Sequence, residues 1–370
     1  MTKCTLCQEK ITTKNHSLEH VIPQSIGGRL KVGGFICKRC NEQAGAEWDR
    51  PLFDQFHWFS VTLDIKRESG KAPGPIKVNT VDGRTFKLSA DGTMVPAIPT
   101  KPALADDGKT ISFSARDWKE ARQQLSGFKR RFPQLDVDAV LGEAVETETM
   151  LDSPLIQSFE FGGARELKST VKTALAFAFK QKVDLRFCAA PIAYLSDQYT
   201  SGVAAMYYTC DPLVSRPSKS LCHIVGVQSD LTERRLLAYV EYFGVARFAV
   251  LLSENYDGAP INAAHAIDPT TGKEVQVSID LKLSDNDLSA IKLGRPDFFD
   301  GFKRAMDDLA PLLMEKMADR RRERELTKII QEGFAQSGAD PGSILSEQQF
   351  QRLSDYVSSE AAQLFVLGKR

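Results

Sequence analysis

Four cysteines near the N-terminus, Cys4, Cys7, Cys37 and Cys40, fall into two C-x-x-C pairs. Each pair sets two thiols on one tight knuckle, and two knuckles supply the four sulfurs of a tetrahedral zinc site. With thiolates at all four positions the site is closed to water, so the zinc is expected to be structural. About fifty residues cannot bury much core, and a bound metal would supply folding energy that the module lacks. Cys188, Cys210 and Cys222 are scattered and are expected to be buried small hydrophobes.

A plain zinc ribbon needs only about 15–20 residues between its knuckles. Here residues 8–36 intervene, and they contain Ser17-Leu18-Glu19-His20-Val21-Ile22-Pro23 and then Gly27-Gly28. The second knuckle closes as Cys37-Lys38-Arg39-Cys40-Asn41. This pattern resembles the HNH endonucleases of the ββα-metal (His-Me finger) superfamily, in the bacterial four-cysteine zinc subgroup where Glu-His replaces the commoner Asp-His. An Asn directly after the last zinc cysteine is also similar to phage Holliday-junction resolving nucleases. The resemblance covers about residues 4–52, through Trp48-Asp49-Arg50-Pro51-Leu52.

The resemblance implies a metal-dependent DNA endonuclease that hydrolyses phosphodiester bonds, with phage defence or mobile-element biology as its setting. His20 would be the general base, since an imidazole near its pKa can take a proton from water. Glu19 and Asn41 would hold one catalytic cation, Mg²⁺ or Mn²⁺, through a carboxylate and an amide oxygen. Lys38 and Arg39, between the zinc ligands, would meet nucleic-acid phosphate. Adjacent residues of a strand point to opposite faces, so Glu19 and His20 need a bulge or a strand end to serve one site. One family feature is missing: no Asn lies between His20 and Cys37 to tether the loop between the strands. The competing reading is a non-catalytic zinc module that binds nucleic acid or protein, which would need the cysteines but not Glu19, His20 or Asn41.

Elements must position these residues, and 370 residues suffice for two or three domains. The pattern predicts an α+β protein: a zinc-stapled ββα-metal module over 1–55, a β-rich segment with a helix over 56–160, a mixed α/β domain over 161–295 and a helical tail over 296–370. Ser60–Ile65 alternates like a strand, Asp82-Gly83 signals a hairpin, and Asp91-Gly92 and Asp107-Gly108 suggest turns. Residues 115–128 and 165–182 read as helices, and so does 231–242, within which Leu236–Val240 could instead be a strand. In the tail, Pro311 should kink a helix or start a new one. The charge run Asp319–Glu325 reads as a solvated helix face.

Lys and Arg together equal Asp and Glu at 48 each, so any DNA contact must come from a local patch and not from overall charge. The N-terminus lacks the apolar core of a signal peptide and no apolar run reaches a membrane span, which predicts a cytoplasmic protein without a membrane partner. The apolar stripe Phe302–Met317 and the run Phe350, Leu353, Val357 and Phe365 could serve a homodimer or pack within one chain. His16, His57, His223 and His265 read as surface or satisfied core residues.

Overall fold

A computed structural model describes residues 2–98, 101–104, 106, 110–145, 147, 151–198, 201–216, 221–294 and 298–366. The chain divides into two compact units, Met1–Pro73 with Glu160–Arg370, and Gly74–Phe159. The expected turn at Asp107-Gly108 and the tail's starting residue Pro296 lie outside the described residues. The architecture is α+β, with the cysteine-rich module first and long helices last.

The module is built on a short hairpin. Strand β1 (Leu18–His20) pairs antiparallel with β2 (Lys31–Gly33), setting Leu18 opposite Gly33, Glu19 opposite Val32 and His20 opposite Lys31. Two glycines allow the intervening loop to close. Gly27 has a φ of 101°, and a Cβ on Gly28 would meet the Ile22 carbonyl oxygen at 1.9 Å. Helix α1 (Lys38–Ala44) starts on Cys37, and a π-helical turn at Gly45–Asp49 carries it into α2 (Arg50–Thr62).

The strand expected over Ser60–Ile65 is not there, because α2 runs on through Thr62. Leu52, Phe53, Phe56, Phe59 and Ser60 recur at helical spacing and are all buried, and that longer period wins over six alternating residues. Phe56 lies 5.1 Å from Phe161, 5.4 Å from Tyr242 and 5.4 Å from Phe243, ring to ring. Arg320, in the charge run expected to be a solvated face, instead donates to the Thr62 carbonyl at 2.6 Å. It thereby satisfies an end that every helix leaves open.

Residues 74–159 form a unit of their own. Strands β3 (Ile76–Thr80), β4 (Thr85–Leu88), β5 (Met94–Pro96) and β8 (Leu155–Ile156) make an antiparallel sheet in the order β5-β4-β3-β8. The pair β6 (Ala103–Leu104) and β7 (Ile111–Ser112) stands apart from it. The Asp82-Gly83 hairpin forms, with Gly83 at a φ of 85°. Helices α3 (Trp118–Lys129) and α4 (Val137–Glu143) are capped by Asp117 and Asp136.

In the larger unit, α5 (Ala164–Lys180) lies against a six-stranded antiparallel sheet and against the N-terminal module. Every residue from Ser169 to Ala178 is buried, the signature of a helix enclosed on all sides. After α6 (Ala189–Leu195), the sheet takes β9 (Ala204–Met206), β10 (His223–Asp230), β11 (Arg235–Tyr242), β12 (Ala246–Ser253), β13 (Asn262–Asp268) and β14 (Lys273–Val275). Its order is β14-β13-β10-β11-β12-β9. The expected helix over 231–242 is absent: residues 231–234 are a turn and strand β11 follows, which bears out the strand alternative. Leu237 and Tyr239 face one core with Ile279 and Leu281, and Tyr242 faces α5 at Thr173. Burial on both faces makes the run continuously apolar and hides its period.

Helix α7 (Asp285–Leu293) opens with a capping box at Ser284 and Asp287. Helix α8 (Phe299–Ser337) passes through Pro311 as one element, so no new helix starts there. Pro311 is exposed, so the carbonyl that its ring deprives of a partner can be hydrated. Helix α9 (Glu347–Val366) folds back on α8, where Leu353 and Val357 crowd Gly333. No helix among the described residues is long and apolar enough to cross a membrane.

Candidate active site and metal centre

The four cysteines meet. Their sulfurs all lie within 4.8 Å of one another, and those of Cys7 and Cys37 are 3.7 Å apart. Zinc–sulfur bonds of about 2.3 Å in a tetrahedron place sulfurs roughly 3.8 Å apart, so the cluster fits a structural zinc. The knuckle geometry is local: the Cys4 amide donates to Glu9, the Gln8 amide donates to Cys4, and Gln8 takes a φ of 61°. The Cys37 amide donates to the Cys4 sulfur at 3.3 Å. Burial pushes the Cys4 thiol up. Burial also acts on Cys7, but hydrogen bonds led by the Glu9 amide outweigh it and pull that thiol down to about 7, toward the thiolate a metal requires. Cys188 and Cys222 are buried as expected, whereas Cys210 is exposed. Its sulfur sits 2.9 Å from the Tyr207 hydroxyl.

The hairpin register contains no bulge, and His20 is the last residue of β1. Glu19 and His20 therefore leave opposite faces of the hairpin. Glu19 turns inward and is 4% exposed. Its carboxylate pairs with the ammonium of Lys172 from the middle of α5, which is fully buried. The same ammonium lies 2.6 Å from Asp49 Oδ2, and Ser169 Oγ donates to Asp49 Oδ1 at 2.5 Å. Burial pushes the Glu19 carboxyl above its ordinary range, with the Lys172 ammonium pulling against it. Lys172 is held charged above the usual lysine value. Burial opposes that charge, but the Asp49 and Glu19 carboxylates together outweigh it. The ammonium is the more firmly charged partner because two carboxylates answer its one charge.

Asn41, on α1, reaches the hairpin on the Glu19 side. Its Nδ2 donates to Ser17 Oγ at 2.5 Å, and Ser17 is two positions before Glu19, the spacing that shares a face in an extended chain. That bond leaves the amide oxygen unspent. Glu19 and Asn41 thus offer the hard oxygen donors that an ion such as Mg²⁺ takes. The Lys172 ammonium against Glu19 shows that the Glu19 carboxylate accommodates positive charge, so Glu19 fits a cation of that class.

His20 faces outward and is 16% exposed, with Nε2 3.4 Å from Glu68 Oε2. Lys31, its cross-strand partner, binds the same carboxylate at 2.5 Å. Burial lowers the His20 pKa below the ordinary histidine value, the Glu68 hydrogen bond acting in the other direction. The ionised carboxylate accepts the Nε2 proton, which leaves Nδ1 with its lone pair. Lys38 and Arg39 are exposed, near Glu42 and Glu9 at 3.9 Å each.

The loop that lacks a tethering Asn is held from outside the hairpin. Arg29 Nη2 donates to the Lys66 carbonyl at 2.9 Å, and His223 Nε2 lies 2.7 Å from the Ile26 carbonyl. His223 is a satisfied core residue whose Nδ1 accepts from the Phe243 amide at 3.1 Å. Burial lowers its pKa to about 4. His57 packs on Phe53, and His265 is half-buried near Glu274.

Three residues of the site, Asp49, Glu68 and Lys172, are not marked by the cysteine and Glu-His motifs. Asp49 lies within the stretch that carries the resemblance, but the motif gives it no role. A lysine between Val171 and the run Ala174–Phe179 is the readable sign of a buried charge needing partners. Nothing local marks Glu68.

Residues 4–57 match the family model described as HNH endonuclease. No curated protein and no solved structure matches the chain.

Proposed function

Starting from an HNH endonuclease module at residues 4–57, we propose that the protein is a cation-dependent endonuclease that hydrolyses phosphodiester bonds of DNA, with His20 as its general base. The observation that carries this reading is the His20 environment. A partly buried imidazole, kept neutral by burial and oriented by Glu68, offers Nδ1 as a proton acceptor at neutral pH. Water loses its proton to Nδ1 as its oxygen bonds to phosphorus, and the bond from phosphorus to the leaving oxygen breaks. Glu19 and Asn41 are the residues to hold Mg²⁺ or Mn²⁺; they lie on the other face of β1 from His20, so the phosphate would have to meet both at the open end of that strand for the ion to neutralise charge on the leaving oxygen. The zinc knuckle positions Asn41, because α1 begins on Cys37. Lys38 and Arg39 are free of the hairpin core and suit phosphate contact. A homodimer through the C-terminal helices would let two modules cut two strands. A role in phage defence or mobile-element biology in the cytoplasm is consistent with such an activity.

The alternative, a zinc-dependent binding module without catalysis, draws on one observation. Glu19 and Asn41 each have a protein partner, Lys172 and Ser17, so both have structural roles independent of a cation. Incubation of the purified protein with supercoiled plasmid separates the two. The nuclease reading expects nicked or linear product with Mg²⁺ or Mn²⁺ and none when those ions are withheld from zinc-loaded protein. DNA retention without any cleavage, across supercoiled, linear and branched substrates, supports the binding module.

A further inference from the structure

The cation nearest Glu19 belongs to the protein itself. Lys172 arrives from α5, 153 residues further along, and its ammonium lies between Glu19 of the hairpin and Asp49 of the π-helical turn. All three side chains are largely removed from water: side-chain exposures are 1% for Lys172, 5% for Glu19 and 17% for Asp49. A lone buried charge is costly, so a lysine here must keep a carboxylate partner at every stage.

We propose that Lys172 is an internal cation that occupies Glu19 until a divalent ion displaces it, and that Asp49 retains the ammonium after the exchange. This inference rests on the reading of Glu19 as a cation ligand. Each buried charge keeps an opposite partner at every step. Before exchange, one ammonium answers two carboxylates. Afterwards the ammonium remains with Asp49 and the incoming ion takes Glu19, so no buried charge is left alone. Asp49 is prepared for this retention, because Ser169, one turn before Lys172 on the same helix, already fixes its other oxygen. The contest also selects the ion. A potassium ion brings no more charge than the ammonium it would replace, whereas Mg²⁺ or Mn²⁺ doubles the attraction to Glu19. Loading is then coupled to the seating of α5 against the hairpin, which places the body of the chain in control of the module.

The test uses full-length, zinc-loaded protein. Mn²⁺ binding is followed by the paramagnetic resonance of free Mn²⁺ for wild type, Lys172→Met and the double variant Glu19→Gln/Lys172→Met. Removal of the competitor should tighten Mn²⁺ binding roughly tenfold, and the double variant should lose the gain. Should Lys172→Met fail to fold, wild type decides. With lysines ¹⁵N-labelled, and Lys172 assigned by Lys172→Arg, titration with Mg²⁺ should shift the Lys172 Nζ resonance while K⁺ should not. Unchanged Mn²⁺ affinity in a folded Lys172→Met protein would overturn the proposal, as would Mg²⁺ binding that leaves the Lys172 resonance in place. Plasmid cleavage by wild type together with unchanged Mn²⁺ affinity in Lys172→Met sinks this inference alone. Tighter Mn²⁺ binding without cleavage of any DNA sinks the nuclease reading alone.

Discussion

His223 Nε2 donates to the carbonyl oxygen of Ile26 across 2.7 Å, joining the central sheet to the loop of the N-terminal hairpin. Its Nδ1 meanwhile accepts from the Phe243 amide, so the ring is neutral with both nitrogens satisfied. A second proton would turn Nδ1 from acceptor to donor against an N–H. The hairpin loop therefore depends on one uncharged, fully buried imidazole.

That dependence predicts acid sensitivity. The folded pKa of His223 is about 4, below the ordinary 6.5. Above pH 6.5 the ring is neutral in folded and unfolded chains alike, and its stabilising contribution is fully present. Between about 6.5 and 4 only the unfolded chain takes up the proton, so stability falls by about 3 kcal/mol as pH drops through that window. Melting temperatures measured from pH 7 to pH 4 should decline, and His223→Gln should flatten the decline. An equally steep slope in the variant would assign the acid sensitivity elsewhere.

Zinc removal should unfold the module and not merely silence it. In zinc-finger peptides the metal contributes apparent free energies of about 10–16 kcal/mol, more than this short hairpin and helix can replace by packing. Chelation at neutral pH, or Cys40→Ser, should release zinc stoichiometrically and abolish amide protection in β1, β2 and α1, as read by hydrogen exchange. Retained protection after the metal has left would show that α2 and α5 hold the hairpin unaided.

The pH dependence of cleavage should report His20. Its neutral form is the base, so kcat/KM should fall on acidification, with a midpoint below the ordinary histidine value because burial lowers that pKa. Glu68 acts in the opposite direction through its hydrogen bond. Glu68→Gln should therefore move the acid limb to still lower pH. A limb that moves upward, or does not move, would remove Glu68 from the orientation of His20.

The local features of the site are legible in the amino-acid sequence. The cysteine spacing announces the metal cluster, and Glu-His with the trailing Asn locates the hairpin and α1. The Asp82-Gly83 turn marks its hairpin correctly. What stays hidden is long-range. Lys172 and Glu19 lie too far apart along the chain for any local pattern to link them. The missing loop Asn is compensated by Arg29 and His223, which no motif joins. The strand expected at Ser60–Ile65 fails for a similar reason: six alternating residues carry less weight than the phenylalanines that extend α2 into the core.

The central claim is that His20 takes the proton from water. Its most direct measurement is the single-turnover rate of plasmid nicking, with saturating Mn²⁺, for wild type and for His20→Ala shown by zinc content and circular dichroism to be folded. The account predicts a loss of roughly 10²–10⁴-fold in His20→Ala, the usual contribution of a positioned general base. Cleavage by His20→Ala at the wild-type rate would contradict it.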